Sequence, residues 1–186
     1  MSYDHIRKSE MLVNLLKAIA LQIGHEVSFR ELSNLVKISV DTVQKYLQLF
    51  EKSFVLYSLP SFSRNLRKEI GKSRKYYFYD LGIRNSLINN FNPPELRADT
   101  GQLWENFCVM DRIKHNQVVG NPVNYYFWRT YDQKEIDLIE EGGGKLHAFE
   151  FKWKPRAIQP VKDFMTAYPD SRFEQINKEN YREFLM

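Results

Sequence analysis

The sequence predicts a mixed α/β protein (α+β overall) of two domains, and three observations indicate this. Apolar residues recur at steps of three and four through much of the first 50 residues, which is the period of an amphipathic helix. Several other segments are short and rich in Tyr, Phe, Val and Ile, as β-strands are. The run Asn92-Pro93-Pro94 marks a junction, since a proline pair cannot continue a helix. We therefore predict domains at residues 1–90 and 99–186.

The composition excludes several classes of protein. A hydrophobic fraction of 43%, with 13 Phe, 11 Tyr and 3 Trp, is too high for a disordered chain. No run approaches the roughly 20 apolar residues of a membrane span, and the N-terminus lacks the apolar core of a secretory signal. The single cysteine, Cys108, cannot form an internal disulfide or a thiolate zinc site alone. We expect a cytoplasmic protein without membrane contact, and its oligomerisation stays open.

The first domain is predicted to begin with three helices. The first covers Ser9–Ile23 and is ended by Gly24. Ser28 and Glu31 form a capping box, in which each side chain satisfies a free backbone amide at the start of a short second helix. Ser39 is the expected N-cap of the third helix. The buried stripe of that helix contains Val43, Tyr46, Leu47 and Phe50.

Two predicted strands with a loop between them follow these helices. Residues 54–59 and 75–79 are β-prone, and Pro60 is expected to stop the first strand. Three short helices followed by strand, loop and strand is the order of a winged helix-turn-helix domain. In such a domain the third helix can enter a DNA major groove, and the loop, or wing, can contact phosphates. The same order also occurs in plain packing modules, so both interpretations stay open here.

Positive charge is concentrated in the wing. The chain has 27 Lys and Arg against 23 Asp and Glu, a net charge of +4, yet residues 61–75 alone carry +5. Clustered Lys and Arg are what phosphate contacts require, although a solvated loop that keeps the protein soluble has the same composition. The predicted DNA-binding residues are Thr42 and Lys45 of the third helix with Arg64, Arg67, Lys68, Lys72 and Arg74 of the wing.

The second domain alternates helical and strand patterns. Its predicted elements are a helix at residues 100–114, strands at 124–128, 135–139 and 145–153, a helix at 158–168, a strand at 172–176 and a terminal turn at 181–185. The run Gly142-Gly143-Gly144 supplies the positive backbone dihedrals that a tight hairpin requires. We therefore predict that residues 135–139 and 145–153 form an antiparallel hairpin.

Three charged residues of this hairpin form the candidate catalytic site. If the turn is centred between Gly143 and Gly144, residues whose numbers sum to 287 face each other, and Asp137 then faces Glu150. Two opposed carboxylates repel each other unless a cation lies between them, and oxygen ligands suit Mg²⁺ or Mn²⁺. Lys152, on the same face, is then placed to orient a water or stabilise a phosphate, which predicts metal-dependent phosphodiester hydrolysis. The alternative is a surface strand with a weak Glu150–Lys152 ion pair.

Five runs of the sequence occur in the order and spacing of a known family. They are Lys75-Tyr76-Tyr77-Phe78-Tyr79-Asp80-Leu81-Gly82, Gly101-Gln102-Leu103-Trp104-Glu105-Asn106-Phe107, Trp128-Arg129, Glu135-Ile136-Asp137-Leu138 and Phe149-Glu150-Phe151-Lys152. On these runs the chain resembles, from about Leu12 to its end, the C-terminal module of a group of prokaryotic AAA+ ATPases.

The resemblance implies an N-terminal winged helix and a domain similar to the PD-(D/E)xK restriction-endonuclease-like fold, with a central mixed sheet. By motif, Asp137 would match the strand aspartate. Glu150 and Lys152 would match the second acid and the lysine, and Glu105 the acid of the preceding helix. Ile136 replaces the proline that names the motif. The resemblance also implies an ATPase domain upstream in a full-length relative.

Two functions stay open at this level. The first is a DNA-engaging part of an ATPase, whose nuclease-like site either cleaves DNA or only docks on it. The second is a protein-interaction or regulatory module that contacts no nucleic acid. The sequence contains no G-x-x-x-x-G-K-[ST] phosphate loop, so we expect no ATP hydrolysis by this chain alone.

Overall fold

The chain folds into two compact units. The structure, a computed structural model, describes residues 2–62, 74–130, 132–157 and 160–186. The units are Met1–Ser58 with Ser73–Arg97, and Leu59–Lys72 with Ala98–Met186. Both units combine helices with a sheet, which confirms the predicted α/β class. Every helix within the described ranges is too short or too polar to cross a bilayer.

The first unit contains four helices among its described residues and a small sheet. Its elements are α1 (Ser2–Leu21), β1 (Glu26–Val27), α2 (Phe29–Val36), α3 (Val40–Lys52), β2 (Leu56–Pro60), β3 (Arg74–Phe78), α4 (Leu81–Leu87) and a 3₁₀ turn at Pro94–Leu96. The last two residues of β2 belong to the second unit. The strand order is β1-β3-β2, so β3 is central. The two-residue strand β1 pairs antiparallel with β3, through Glu26 with Lys75 and Val27 with Arg74.

The local signals of the sequence determine where these helices begin. The Ser28 hydroxyl accepts a hydrogen bond from the backbone N of Glu31 at 3.3 Å, and the Ser39 hydroxyl accepts one from Thr42 at 3.1 Å. Both predicted N-caps are therefore confirmed. The buried core of the unit includes Leu15, Ile19, Leu32, Val43 and Leu47.

Strand β2 differs from the prediction at both of its ends, and β3, at Arg74–Phe78, is shifted by one residue from 75–79. Phe54 has a φ of 55°, which is left-handed, so the first strand begins at Leu56 instead of Phe54. That strand also includes Pro60, which the sequence predicted to stop it. The predicted wing residues Arg64, Arg67, Lys68 and Lys72 lie outside the described residues.

The second unit is built around a four-stranded mixed sheet. Its described elements are α5 (Thr100–Val119), β4 (Asn124–Arg129), β5 (Glu135–Gly142), β6 (Lys145–Phe151), α6 (Lys162–Ala167), β7 (Arg172–Ile176) and α7 (Tyr181–Leu185). The strand order is β4-β5-β6-β7. The β4–β5 and β5–β6 pairs are antiparallel, whereas β6 and β7, which α6 connects, are parallel.

Several elements of the second unit also differ from the prediction. Strand β5 continues to Gly142 instead of ending at Ile139, and α6 covers Lys162–Ala167 instead of 158–168. Helix α5 continues past the predicted end at Lys114 to Val119, because Asn116 is buried and Gly120, with a φ of 69°, supplies the left-handed cap. Strand β6 ends at Phe151 instead of Trp153. The predicted terminal turn is the short helix α7.

Candidate active site

The β5–β6 hairpin sets the register of the candidate site. Gly143 and Gly144 have φ values of 57° and 76°, which form a tight two-residue turn. The paired residues run from Gly142 with Lys145 to Leu138 with Phe149, so the numbers of each pair sum to 287 as the sequence predicted. Asp137 and Glu150 are the next residues along the two strands beyond the last of these pairs.

Asp137 is fixed by the backbone of the neighbouring strand. Its carboxylate oxygen Oδ2 accepts a hydrogen bond from the backbone N of Phe151 at 2.9 Å, and the residue is 7% exposed. One residue further, the backbone N of Lys152 donates to the carbonyl of Ile176 in β7 at 2.9 Å. The end of β6 is therefore held on one side by the Asp137 side chain and on the other by β7.

Glu150 and Lys152 form a close ion pair beside Asp137. The ammonium Nζ of Lys152 donates to Glu150 Oε1 at 2.5 Å. Burial, and then the charge of Asp137, raise the pKa of Glu150 to about 7, although Lys152 acts to lower it. Burial alone would lower the pKa of Lys152, but the charges of Asp137, Glu150 and Glu105 together raise it. The site therefore combines a carboxyl group that titrates near neutral pH with a lysine that stays protonated.

Glu105 of α5 acts on the same region through its charge. It raises the pKa of Lys152, after the larger effects of Asp137 and Glu150. It also adds to the increase in the pKa of the Cys108 thiol, which is caused first by burial. Cys108 is fully buried, so this cysteine is a core residue and not a nucleophile. The other three predicted catalytic residues, Glu105, Asp137 and Glu150, thus all interact electrostatically with Lys152.

The donor set suits a hard divalent cation held by two carboxylates. Among the described residues, no group of three or more His, Cys, Asp or Glu side chains is placed to hold a metal, so Glu105 does not complete a three-ligand site. Asp137 and Glu150 are close enough for one to shift the pKa of the other. Glu150 Oε2 is buried, and no described group hydrogen-bonds to it. One or two carboxylates with further oxygen ligands is a common way for proteins to bind Mg²⁺.

Both halves of the chain match known protein-family models. Residues 1–94 match the family model described as Domain of unknown function (DUF8612). The chain belongs to the DUF8612 family. Residues 100–180 match a second model, Domain of unknown function (DUF4143), a domain that is typically found in proteins associated with AAA ATPases. The DUF4143 match contains Glu105, Asp137, Glu150 and Lys152.

Two mycobacterial proteins are similar to this chain. The uncharacterized protein Rv2008c of Mycobacterium tuberculosis is 29% identical over 131 residues, and the uncharacterized protein Mb2031c of Mycobacterium bovis is equally similar. These matches cover 69% of this chain but only 29% of each relative. The chain therefore spans less than a third of the length of these relatives. No solved structure matches the chain.

The DUF8612 half contains the predicted DNA-binding residues of the third helix. Lys45 is exposed on α3. The Thr42 hydroxyl lies 2.8 Å from the Ser39 hydroxyl at the start of the same helix. Arg74 of β3 is half-buried, and its guanidinium donates to the Ser58 hydroxyl at 2.9 Å. Lys45 is therefore open to a ligand, whereas Arg74 has a partner within its own unit.

The DUF4143 half contains a polar network that the sequence analysis did not identify. Glu140, 6% exposed, accepts hydrogen bonds from Arg112 Nε at 2.7 Å, Arg112 Nη2 at 3.0 Å and Asn116 Nδ2 at 2.7 Å. Glu140 is one of four acidic residues in β5, so the sequence of the strand does not single it out, and its partners on α5 are 24 and 28 positions away. This network joins α5 to β5 and is structural.

A cavity of about 470 Å³ lies at the opposite end of the β5–β6 hairpin from Asp137. The hairpin turn and the neighbouring end of β7 contribute Gly142, Gly143, Lys145 and Arg172 to its lining. None of the predicted catalytic residues lines it. The candidate site is therefore separate from this cavity.

Proposed function

We propose that the DUF4143 half is a Mg²⁺- or Mn²⁺-dependent phosphodiesterase site that acts on DNA. We further propose that the chain is the DNA-engaging C-terminal part of a longer AAA+ ATPase. The observation that carries the first proposal is the group of Asp137, Glu150 and Lys152 at the ends of β5 and β6, with a buried Glu150 oxygen that no described group satisfies.

Asp137 and Glu150 are the residues that would hold the metal. Asp137 is kept in place by the Phe151 backbone, and Glu150 by Lys152, so both carboxylates are positioned before an ion binds. A bound divalent ion supplies Lewis-acid polarisation of a phosphate and lowers the pKa of a water ligand. Preorganised ligands of this kind avoid the cost of ordering the side chains during binding.

Lys152 has a different role from the carboxylates. Because its pKa is raised by Asp137, Glu150 and Glu105 against the effect of burial, it stays protonated at neutral pH and cannot remove a proton from water. Its ammonium group can donate to a water or to a phosphate oxygen, and it is 30% exposed, so a substrate can reach it. We assign it to orienting the water and stabilising negative charge on the phosphate.

The ATPase context is supported by the family and by chain length. DUF4143 is typically found in AAA-ATPase-associated proteins, and the chain covers 29% of the length of its mycobacterial relatives. Residues 61–75 carry a charge of +5, or +4 without Lys75, whose side chain is buried. This local charge and the exposed Lys45 on α3 support contact with DNA.

A second candidate is a protein-interaction module without nucleic-acid contact. The observation that favours it is the exposure of Phe54, which is 70% exposed. Its backbone is left-handed, with a φ of 55°. The Phe54 ring lies 5.5 Å from the ring of Tyr79 in an edge-to-face arrangement. Aromatic side chains, phenylalanine included, are enriched at protein interfaces relative to the rest of the surface.

Cleavage of supercoiled plasmid DNA in the presence of Mn²⁺ tests the first candidate. We expect nicking by the wild-type chain and a decrease of at least about 100-fold in both Asp137→Asn and Lys152→Ala. The first variant removes a ligand of the metal, and the second removes the ammonium group that acts on the water or the phosphate. Lys154→Ala, which changes an exposed lysine two residues away, is the matched control and should cleave as the wild type does. No cleavage by the wild type, or equal cleavage by all variants, would contradict the proposal.

A further inference from the structure

A glutamine of β7 lies beside Glu150. Strands β6 and β7 are parallel, and their register pairs Glu150 with Gln175. Neighbouring strands lie about 4.8 Å apart, and paired residues project from the same face of the sheet. The Gln175 side chain is therefore within reach of whatever binds at Glu150. Its position follows from the parallel pairing and not from the β5–β6 hairpin.

Glu150 and Gln175 each contain one buried polar atom without a described partner. These atoms are Glu150 Oε2 and Gln175 Nε2, and neither hydrogen-bonds to any of the described residues or to the other. Lys152 binds only the other carboxylate oxygen, Oε1. Native proteins contain few such atoms, and each of them requires an explanation. Two of them on adjacent residues indicate a place where a ligand binds.

We propose that Gln175 is a substrate-binding residue whose amide Nε2 donates to a non-bridging oxygen of the phosphodiester. This inference rests on the proposed function. An amide nitrogen can only donate, so its ligand atom is an acceptor oxygen. An ionised carboxylate oxygen can only accept, so Glu150 Oε2 takes a cation or a donor. A phosphate bound to a hard divalent ion presents both, an oxygen towards Gln175 and the ion towards Glu150.

A purely structural role for Gln175 predicts a different set of results. If Gln175 held the strands together, replacing it with leucine would lower the melting temperature. If Nε2 is instead kept for a ligand, Gln175→Leu removes an unsatisfied buried donor, and the melting temperature should stay the same or rise. Stability and ligand affinity therefore separate the two roles.

The test uses the full chain, with Mn²⁺ and the phosphodiester dithymidine monophosphate as separate probes. Mn²⁺ affinity is measured by titration calorimetry, and binding of the dinucleotide by its ³¹P resonance in Mg²⁺ buffer. The variants are Gln175→Leu and Gln175→Glu, with Gln117→Leu on the exposed side of α5 as the matched control. Gln175→Glu keeps the size of the side chain and replaces the donor with a negative charge.

We expect Gln175→Leu to keep its Mn²⁺ affinity within about twofold and to weaken dinucleotide binding about tenfold, which corresponds to about 1.4 kcal/mol. Gln175→Glu should weaken dinucleotide binding further, and Gln117→Leu should bind the dinucleotide as the wild type does. Unchanged dinucleotide affinity in Gln175→Leu, or no dinucleotide binding by the wild type, would overturn the inference. If dinucleotide binding depends on Gln175 but the chain binds no Mn²⁺, the substrate-binding role of Gln175 is upheld. Only the metal site of the proposed function is then overturned.

Discussion

The fold changes the protonation of Glu150 in the pH range around neutrality. Its pKa is raised from 4.5 to about 7, first by burial and then by Asp137, so the folded chain holds this proton more tightly than the unfolded chain does. Between these two values the folded state binds more protons than the unfolded state. The free energy of unfolding therefore falls as the pH rises through this window.

Glu150→Gln tests the electrostatic cost of burying the Glu150 carboxylate. We expect the variant and the wild type to have similar stabilities at pH 4, where the native carboxyl is protonated. At pH 8 in metal-free buffer, the variant should be more stable by roughly 1–3 kcal/mol, because glutamine carries no charge to bury. Urea unfolding followed by tryptophan fluorescence measures this in the second unit, which contains Trp104, Trp128 and Trp153.

The matched control for this experiment is Glu179→Gln, which changes an exposed glutamate of the same unit. It should show no difference from the wild type at either pH. Equal stabilities of Glu150→Gln and the wild type at pH 8 would show that burial of the Glu150 carboxylate carries no cost.

For the residues of the candidate site, the sequence could predict only those relative positions that are set by a turn. Gly143 and Gly144 fix the register of β5 against β6, and so the relation between Asp137 and Glu150 could be calculated from residue numbers. Gln175 was missed because β7 pairs with β6 through a crossover, and no turn residue sets the register of a parallel pair.

At the scale of secondary-structure elements, the side chain of Arg112 connects α5 to both β5 and α7. Arg112 makes two hydrogen bonds to the buried carboxylate of Glu140 and a third to the backbone carbonyl of Phe184, at 2.5 Å. Its guanidinium also lies 4.9 Å from the centre of the Phe184 ring. Because Glu140 is only 6% exposed, removal of Arg112 leaves a buried negative charge with Asn116 as its remaining partner among these contacts.

Double-mutant analysis of this pair measures its contribution. Arg112→Leu and Glu140→Leu should each destabilise the second unit by about 3–5 kcal/mol, because each leaves one charge buried without its partner. The double variant should lose less than the sum of the two, since it removes both charges. Urea unfolding followed by tryptophan fluorescence reports all three values.

The exposed ion pair of Lys134 with Asp163 is the control for this cycle. These side chains are 50% and 45% exposed, so Lys134→Ala should cause little change in stability. If the two single variants and the double variant showed additive losses, the Arg112–Glu140 interaction would not be the cause of the destabilisation.

Element prediction succeeded where the determinants are local. The caps at Ser28 and Ser39 and the strand at residues 172–176 follow from nearby residues. Strand β1 was missed because it has only two residues and exists through its pairing with β3, nearly 50 positions away. The end of α5 was placed too early because tertiary burial of Asn116 extends the helix.

At the level of the whole molecule, the alternation of helical and strand patterns was enough to predict the α/β class. Contacts between distant segments were not predictable. Phe62 lies in the core of the second unit, with its ring 5.2 Å from that of Tyr126 and 5.4 Å from that of Tyr168. These residues are far apart in the chain, and no periodic pattern relates them.

Calorimetric titration of the whole chain with Mn²⁺ tests the central claim most directly. We predict that the wild type binds the ion and that Asp137→Asn abolishes binding, whereas the exposed Asp170→Asn leaves it unchanged. Lys152→Ala should still bind the ion, because the ammonium group is not a ligand. No binding by the wild type at millimolar Mn²⁺, or equal binding by Asp137→Asn, would contradict the assignment of Asp137 and Glu150 as a metal site.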